Sequence, residues 1–277
     1  MRRFGMVFDK VLLASLVAAL VVAITFWWGR SRSSTALVPA YFYPSGVGLD
    51  EWNRLARDAG LINIEAILNP ASGPGTTQDP NYVAVVDNLR AAGGSVFGYV
   101  STKYGDREIA DVTNDINNYI SFYNINGIFI DQMDNSENRV PYYKEIYRLI
   151  KGLHSDFKVI GNAGMPYTLE AYLSAADTLV IFEGTSVFYA DFRPFLAAPW
   201  VLNYPPDRFA AIVYAATSEI HLMRALDKAG RAHACSVYVT DGGLPNPYRG
   251  LPLYWAREVA AIRERDLTSA PLEKRKP

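Results

Sequence analysis

Residues 125–131 read Ile-Asn-Gly-Ile-Phe-Ile-Asp: a β-branched and aromatic run too short for a helix, closed by a carboxylate. Amphipathic stretches flank it. On the N-terminal side Ile109, Val112, Ile116 and Ile120 recur at helical spacing, and on the C-terminal side Ile146, Leu149, Ile150 and Leu153 do the same. A buried strand between two such helices is the unit of an α/β fold with a parallel sheet. The unit repeats outward in both directions. Strands are expected at Leu37 to Tyr43, Ile62 to Leu68 and Ser95 to Ser101 before it, and at Lys158 to Asn162, Thr178 to Glu183, Phe209 to Ala215 and Ser236 to Asp241 after it. Trp52, Leu55, Ala56 and Ala59 mark the first helix. Asp79-Pro80 supplies a cap and a first-turn proline for the second, with Tyr82, Val85, Val86 and Leu89 as its apolar face and Gly93 as its stop. Further helices are expected from about Thr217 to Gly230 and from Leu253 to Arg265. About eight strands alternating with about eight helices predict a closed (β/α)₈ TIM barrel, which about 250 residues commonly build as one domain. The open doubly wound sheet is the competing arrangement, but no phosphate-binding glycine fingerprint follows the first strand.

Composition narrows the function. The chain has 277 residues, half of them hydrophobic, and its 27 basic and 28 acidic residues are dispersed, leaving a net charge of −1 and no electrostatic case for nucleic acid. Cys235 is the single cysteine, so an internal disulfide and a cysteine-built zinc cluster are excluded. His154, His221 and His233 lie outside any HxH or HExxH spacing. Neither a metal nor a cofactor is expected, and the barrel is expected to be a monomer.

Ahead of the barrel, Val11 to Trp28 runs for eighteen residues without a charge, flanked by Arg2, Arg3 and Lys10 and closed by Trp27-Trp28. That length exceeds a signal-peptide core and suits a membrane span with interfacial aromatics. The expected organisation is a short segment at 1–10, a transmembrane signal anchor at 11–28, a polar tether at 29–36, the barrel at 37–266 and a tail at 267–277. The barrel then lies outside the cytoplasm, periplasmic or extracellular, or is secreted if the anchor is cleaved.

In such barrels the active site is built where the strands end, at their C-terminal edge. Those ends are polar here: Tyr41-Phe42-Tyr43, Asn69, Tyr99 with Thr102 and Tyr104, Asp131-Gln132, Asn162, Glu183 and Asp241. A single Asp or Asn after a strand is commonly a turn former. Several around one mouth, with tyrosines that offer both a stacking face and a hydroxyl, describe a carbohydrate site. Asp131 and Glu183 follow apolar runs that hold them rigidly and are the expected catalytic pair, with Glu183 as general acid and Asp131 as nucleophile or as ion-pair stabiliser of an oxocarbenium-like transition state, or the roles exchanged. Tyr43, Asn69, Tyr99, Thr102, Tyr104, Gln132, Asn162 and Asp241 are the expected sugar contacts.

The segment from Pro39 to Asp241 resembles the spherulin-4-like family, glycoside hydrolase family 135. The resemblance rests on Ala40-Tyr41-Phe42-Tyr43-Pro44, Asn69-Pro70 with Gly73-Pro74-Gly75, Gly98-Tyr99-Val100 with Thr102 and Tyr104, Gly127-Ile128-Phe129-Ile130-Asp131, Tyr142-Tyr143, Gly161-Asn162-Ala163-Gly164 and Phe182-Glu183. It implies a barrel that cleaves within α-1,4-linked, galactosamine-containing polysaccharides. One departure matters. The family pattern after the fourth strand is Asp-Glu, and this chain has Asp131-Gln132; an amide can hydrogen-bond a sugar but cannot act as a carboxyl acid or nucleophile. Asn162 is likewise followed by Ala-Gly where the family has Pro-Gly. Asp134 and Asp241 are the acids able to compensate. Two other readings stay open: a non-catalytic polysaccharide-binding or export-assisting barrel, and a barrel enzyme holding a divalent metal on Asp131, Asp134 and Glu183.

Overall fold

The computed structural model describes residues 34–164, 169–193 and 198–269. Eight parallel strands close in sequence order: β1 (Thr35–Ala40), β2 (Asn63–Leu68), β3 (Ser95–Ser101), β4 (Gly127–Asp131), β5 (Lys158–Asn162), β6 (Thr178–Thr185), β7 (Phe209–Tyr214) and β8 (Ser236–Val239). The barrel lies within the compact unit Ser33–Glu264. Around it run α1 (Val47–Asp58), α2 (Pro80–Ala91), α3 (Ile109–Phe122), α4 (Val140–Leu153), α5 (Ser186–Asp191), α6 (Glu219–Arg231) and α7 (Trp255–Ser269). The expected count of about eight helices is corrected to seven among the described residues. Between β5 and β6 the described residues hold one 3₁₀ stretch, Glu170–Ser174. The apolar segment 11–28 lies outside the described residues, and among those described no helix is long and apolar enough to cross a membrane.

Local chemistry sets the elements as the sequence suggests. Asp79 caps α2, its Oδ1 accepting from the Asn81 N–H at 2.8 Å, with Pro80 in the first turn. The buried faces of α2 (Tyr82, Val85, Val86, Leu89) and α3 (Val112, Ile116, Tyr119) cover the sheet. Gly98 in β3 has a packing reason: a Cβ there would sit 2.6 Å from the Tyr119 ring, whose hydroxyl reaches in to donate to the Leu68 carbonyl at 3.0 Å.

The closing seam is partial. β1 meets β8 only at Thr35↔Ser236 and Ala36↔Val237, and farther along β1 Pro39 has no N–H to offer. The Val239 N–H instead donates to Glu258 Oε1 of α7 at 2.8 Å. Glu258 is fully buried against the seam, and burial pushes its carboxyl well above the ordinary range.

Candidate active site

β4, β5 and β6 carry the centre of the mouth. Asp131 ends β4, Asn162 ends β5, and Glu183 follows Phe182 in β6. Asn162 aligns with Val180 across the β5–β6 ladder, and simple alternation from Val180 would turn Phe182 inward and Glu183 outward. An extra residue in β6 reverses this. Val180 pairs with Ala210 but Phe182 pairs with Ala211, so Ile181 is bulged and every later side chain changes face. Phe182 consequently packs outward against Tyr189 and Phe192, with ring centroids 4.4 and 5.1 Å away, and Glu183 faces the cleft.

The two carboxylates meet through one amide. Asn162 Nδ2 donates to Asp131 Oδ1 at 2.8 Å and to Glu183 Oε2 at 2.6 Å. Laid end to end those bonds reach 5.4 Å, the largest separation the two facing oxygens can have. The Tyr248 hydroxyl donates to the other oxygen of Glu183 at 2.5 Å, and the Tyr99 hydroxyl hydrogen-bonds Asp131. Tyr41 fills the space between, edge-on to Tyr99 at 5.7 Å and to Tyr248 at 5.5 Å.

No lysine, arginine or histidine forms an ion pair with either acid among the described residues. The Asp131 carboxyl is pushed up to about 6, first by burial and then by the Glu183 charge; hydrogen bonds from Tyr99, the Gln132 N–H and Asn162 pull part of the way back. Burial and the same acids push the hydroxyls of Tyr41, Tyr99 and Tyr248 far above their ordinary value, so all three remain protonated at any working pH.

Asp131, Glu183, Asn162, Tyr99 and Gln132 therefore come together as expected. Gln132 has a left-handed backbone (φ 50°), and its side-chain oxygen accepts from Ser101 Oγ at 2.5 Å. Tyr104 is 57% exposed beside it, also left-handed (φ 60°), its N–H donating to the Gln132 carbonyl at 2.7 Å. The remaining expected contacts take other places. Tyr43 stands on the rim, its hydroxyl donating to Asp79 Oδ2 at 3.0 Å and accepting from Asn81, while Tyr41 takes the central position. Thr102 is fully buried, its hydroxyl directed to the Asp131 and Gln132 carbonyls and to Tyr143, so it braces the loop from below. Asn69 Oδ1 accepts from the Gly73 N–H at 3.0 Å and shapes a turn. Asp241 Oδ2 accepts from the Leu253 N–H at 3.3 Å and ties the loop after β8. Asp134 Oδ1 accepts from the Ser136 N–H at 2.6 Å; among the described residues no three His, Cys, Asp or Glu side chains are placed to hold one metal ion. Tyr41, Ser101 and Tyr248 are the members of the cluster that the sequence reading did not name as contacts.

Residues 35–262 match the model of the spherulation-specific family 4. Spherulin-4 of Physarum polycephalum is 32% identical over 243 residues, which cover 82% of this chain and 69% of that protein. The crystal structure of Aspergillus clavatus Sph3 in complex with GalNAc superposes with a TM-score of 0.71 at 26% identity, over 83% of this chain and 98% of that one. A cyclic alpha-maltosyl-(1→6)-maltose hydrolase from Arthrobacter globiformis shares the fold alone, with a TM-score of 0.51 at 11% identity over 91% of this chain and 85% of its own.

Proposed function

The chain belongs to the spherulation-specific family 4, and from that premise we propose that it is a glycoside hydrolase that cuts within an amino-sugar polysaccharide, with Asp131 as acid and base and Glu183 as nucleophile. The carrying observation is the pair of carboxylates bridged by the Asn162 amide, with facing oxygens no more than 5.4 Å apart. Retaining glycosidases place their two carboxyls about 5–5.5 Å apart, whereas inverting ones need about 6.5–9.5 Å to admit a water. Of the two role assignments open in the sequence, the exchanged one fits better. Asp131, pushed up to about 6, keeps a proton to give, and Glu183 has both oxygens oriented by donors.

In the first step Asp131 gives its proton to the glycosidic oxygen while a Glu183 oxygen attacks the anomeric carbon. The bond to the leaving sugar breaks and a glycosyl ester forms. In the second, the Asp131 carboxylate takes a proton from water, the water oxygen attacks the same carbon, and Glu183 leaves as a carboxylate. The product keeps the anomeric configuration of the substrate. Galactosamine-type polymers are the substrate class, supported by the family resemblance and by the GalNAc bound to the Aspergillus clavatus relative. Tyr104, exposed at the rim, offers a stacking face for a neighbouring sugar. The apolar stretch 11–28 would tether the barrel outside the cytoplasm.

Incubating the protein with α-1,4-linked galactosamine and N-acetylgalactosamine polymers, and following released oligosaccharides and their anomeric configuration by proton NMR, tests this. Release with retention is expected. Binding without release would favour the non-catalytic barrel, for which the observation is Gln132, a neutral amide beside Asp131 where the family pattern has a second acid.

A further inference from the structure

A carboxylate on the end of a flexible stem does not orient itself. The last torsion of a glutamate is broad and nearly two-fold, so only donors from outside fix which lone pair points at a substrate. Glu183 has two such donors, one on each oxygen, arriving from different parts of the chain: Asn162 from the end of β5 and Tyr248 from the loop between β8 and α7.

Each donor is itself fixed. The Gly164 backbone N–H can only donate, and it does so to Asn162 Oδ1 at 2.8 Å, so the amide oxygen must face Gly164 and the NH₂ group must face the acids. Both amide hydrogens are then spent, one on Asp131 and one on Glu183, and the residue is 2% exposed. With both donors spent and the side chain buried, Asn162 orients the two acids rather than serving as the expected sugar contact. Tyr248 is held by Asn246 Oδ1 accepting from its N–H at 3.0 Å and by its ring packing against Tyr41 and Tyr238. Its hydroxyl stays protonated and faces Glu183 Oε1.

We propose that Asn162 and Tyr248 are positioning residues that clamp the Glu183 carboxylate in its attacking orientation, one donor to each oxygen. The proposal rests on the reading of Glu183 as nucleophile. The two donors also act differently through the reaction. In the second step the glycosyl ester breaks and negative charge returns to Glu183, so a donor waiting on Oε1 stabilises the departing carboxylate. Tyr248 thus weighs more on the second step than on the first, and Asn162, which also sets the distance to Asp131, weighs on both.

Tyr248→Phe in the full chain is the cleanest variant, because the ring contacts survive and only the donor is lost. With an α-1,4-linked N-acetylgalactosamine oligomer, kcat is expected to fall on the order of tenfold to a hundredfold, with KM changing much less, as for a lost hydrogen bond to a charged group. Asn162→Ala should lower kcat further. Unchanged kcat in Tyr248→Phe overturns the clamp, as does a rise in KM at constant kcat or a loss of activity that merely tracks a lower melting temperature. Glu183→Gln retaining wild-type turnover would overturn the functional reading instead. In that event a crystal structure of Tyr248→Phe decides the orientation without any turnover: a Glu183 carboxylate turned out of its wild-type plane upholds the clamp, and an unmoved one ends it.

Discussion

At the N-terminal end of the barrel Glu65 of β2 and Lys158 of β5 meet across the interior, Nζ to Oε1 at 2.7 Å, with the ammonium 5.9 Å above the Phe97 ring. At the C-terminal end Asp131 and Glu183 also meet across an intervening strand, but the group between them is an amide and no cation forms an ion pair with either. The same closed sheet thus treats its ionisable groups in opposite ways. Charge at the floor is neutralised, which is what burial ordinarily demands. Charge at the mouth is concentrated, which raises the Asp131 carboxyl and costs stability. A fold keeps such an arrangement where chemistry uses it.

The largest test of that contrast is to neutralise the mouth. Asp131→Asn and Glu183→Gln should each lower turnover by at least about a thousandfold, the scale set by removing an acid–base group or a nucleophile. At pH 7 neither should lower the melting temperature, because each relieves like-charge repulsion. A calorimetric loss comparable to that of a floor variant would erase the distinction between the two ends.

Breaking the floor should do the reverse. Lys158→Ala leaves Glu65 without its ammonium, and Glu65 Oε2 is already buried with no hydrogen-bond partner. Urea unfolding should show a loss of about 2 kcal/mol, while kcat per folded molecule stays at the wild-type value. A large drop in kcat at unchanged stability would mean that the floor pair acts on the mouth.

The contrast also fixes a sign with pH. In the proposed acid role Asp131 must be protonated, so kcat/KM should fall about tenfold per unit above pH 6. Its folded carboxyl lies above the unfolded value, so the native state holds the extra proton between them. The associated stability is complete below about pH 4 and is lost as pH rises through about 6. A rate that stays flat to pH 8 would remove Asp131 from the acid role.

Much of this was legible in the chain. The strand from Gly127 to Asp131 and the Asp79-Pro80 start of α2 obey local rules, and the structure follows them closely. The acids were legible because an acid closing a buried run has few other places to go. What escaped the reading depends on position in space. Whether Tyr41 or Tyr43 takes the centre depends on how the chain turns after β1 ends at Ala40. The inward turn of Glu183 comes from a bulge at Ile181, which no alternation pattern shows. Tyr248 lies in a long loop without periodicity, 65 positions from its partner, so only folding brings the two together. Asn69, Thr102 and Asp241 looked like sugar contacts because polar residues after strands serve turns and sites alike, and here turns and bracing took them.

The smallest effect concerns Gln132, where the chain departs from the Asp-Glu pattern of its family. Its side-chain oxygen accepts from Ser101 Oγ, and its own N–H hydrogen-bonds Asp131. Glutamate has nearly the same volume, and Ser101 can donate to it equally well, so Gln132→Glu should fold unchanged. It would add a third uncompensated carboxylate to the mouth and sharpen the difference from the floor. A like charge next to Asp131 disfavours its ionised form, so the basic limb should move up, by less than about one pH unit, and kcat/KM at pH 7 should rise severalfold. The plateau near pH 5 should stay put, because Asp131 is already protonated there. If the plateau itself rises tenfold or more, residue 132 takes part in proton transfer directly, and the site works with three acids rather than two.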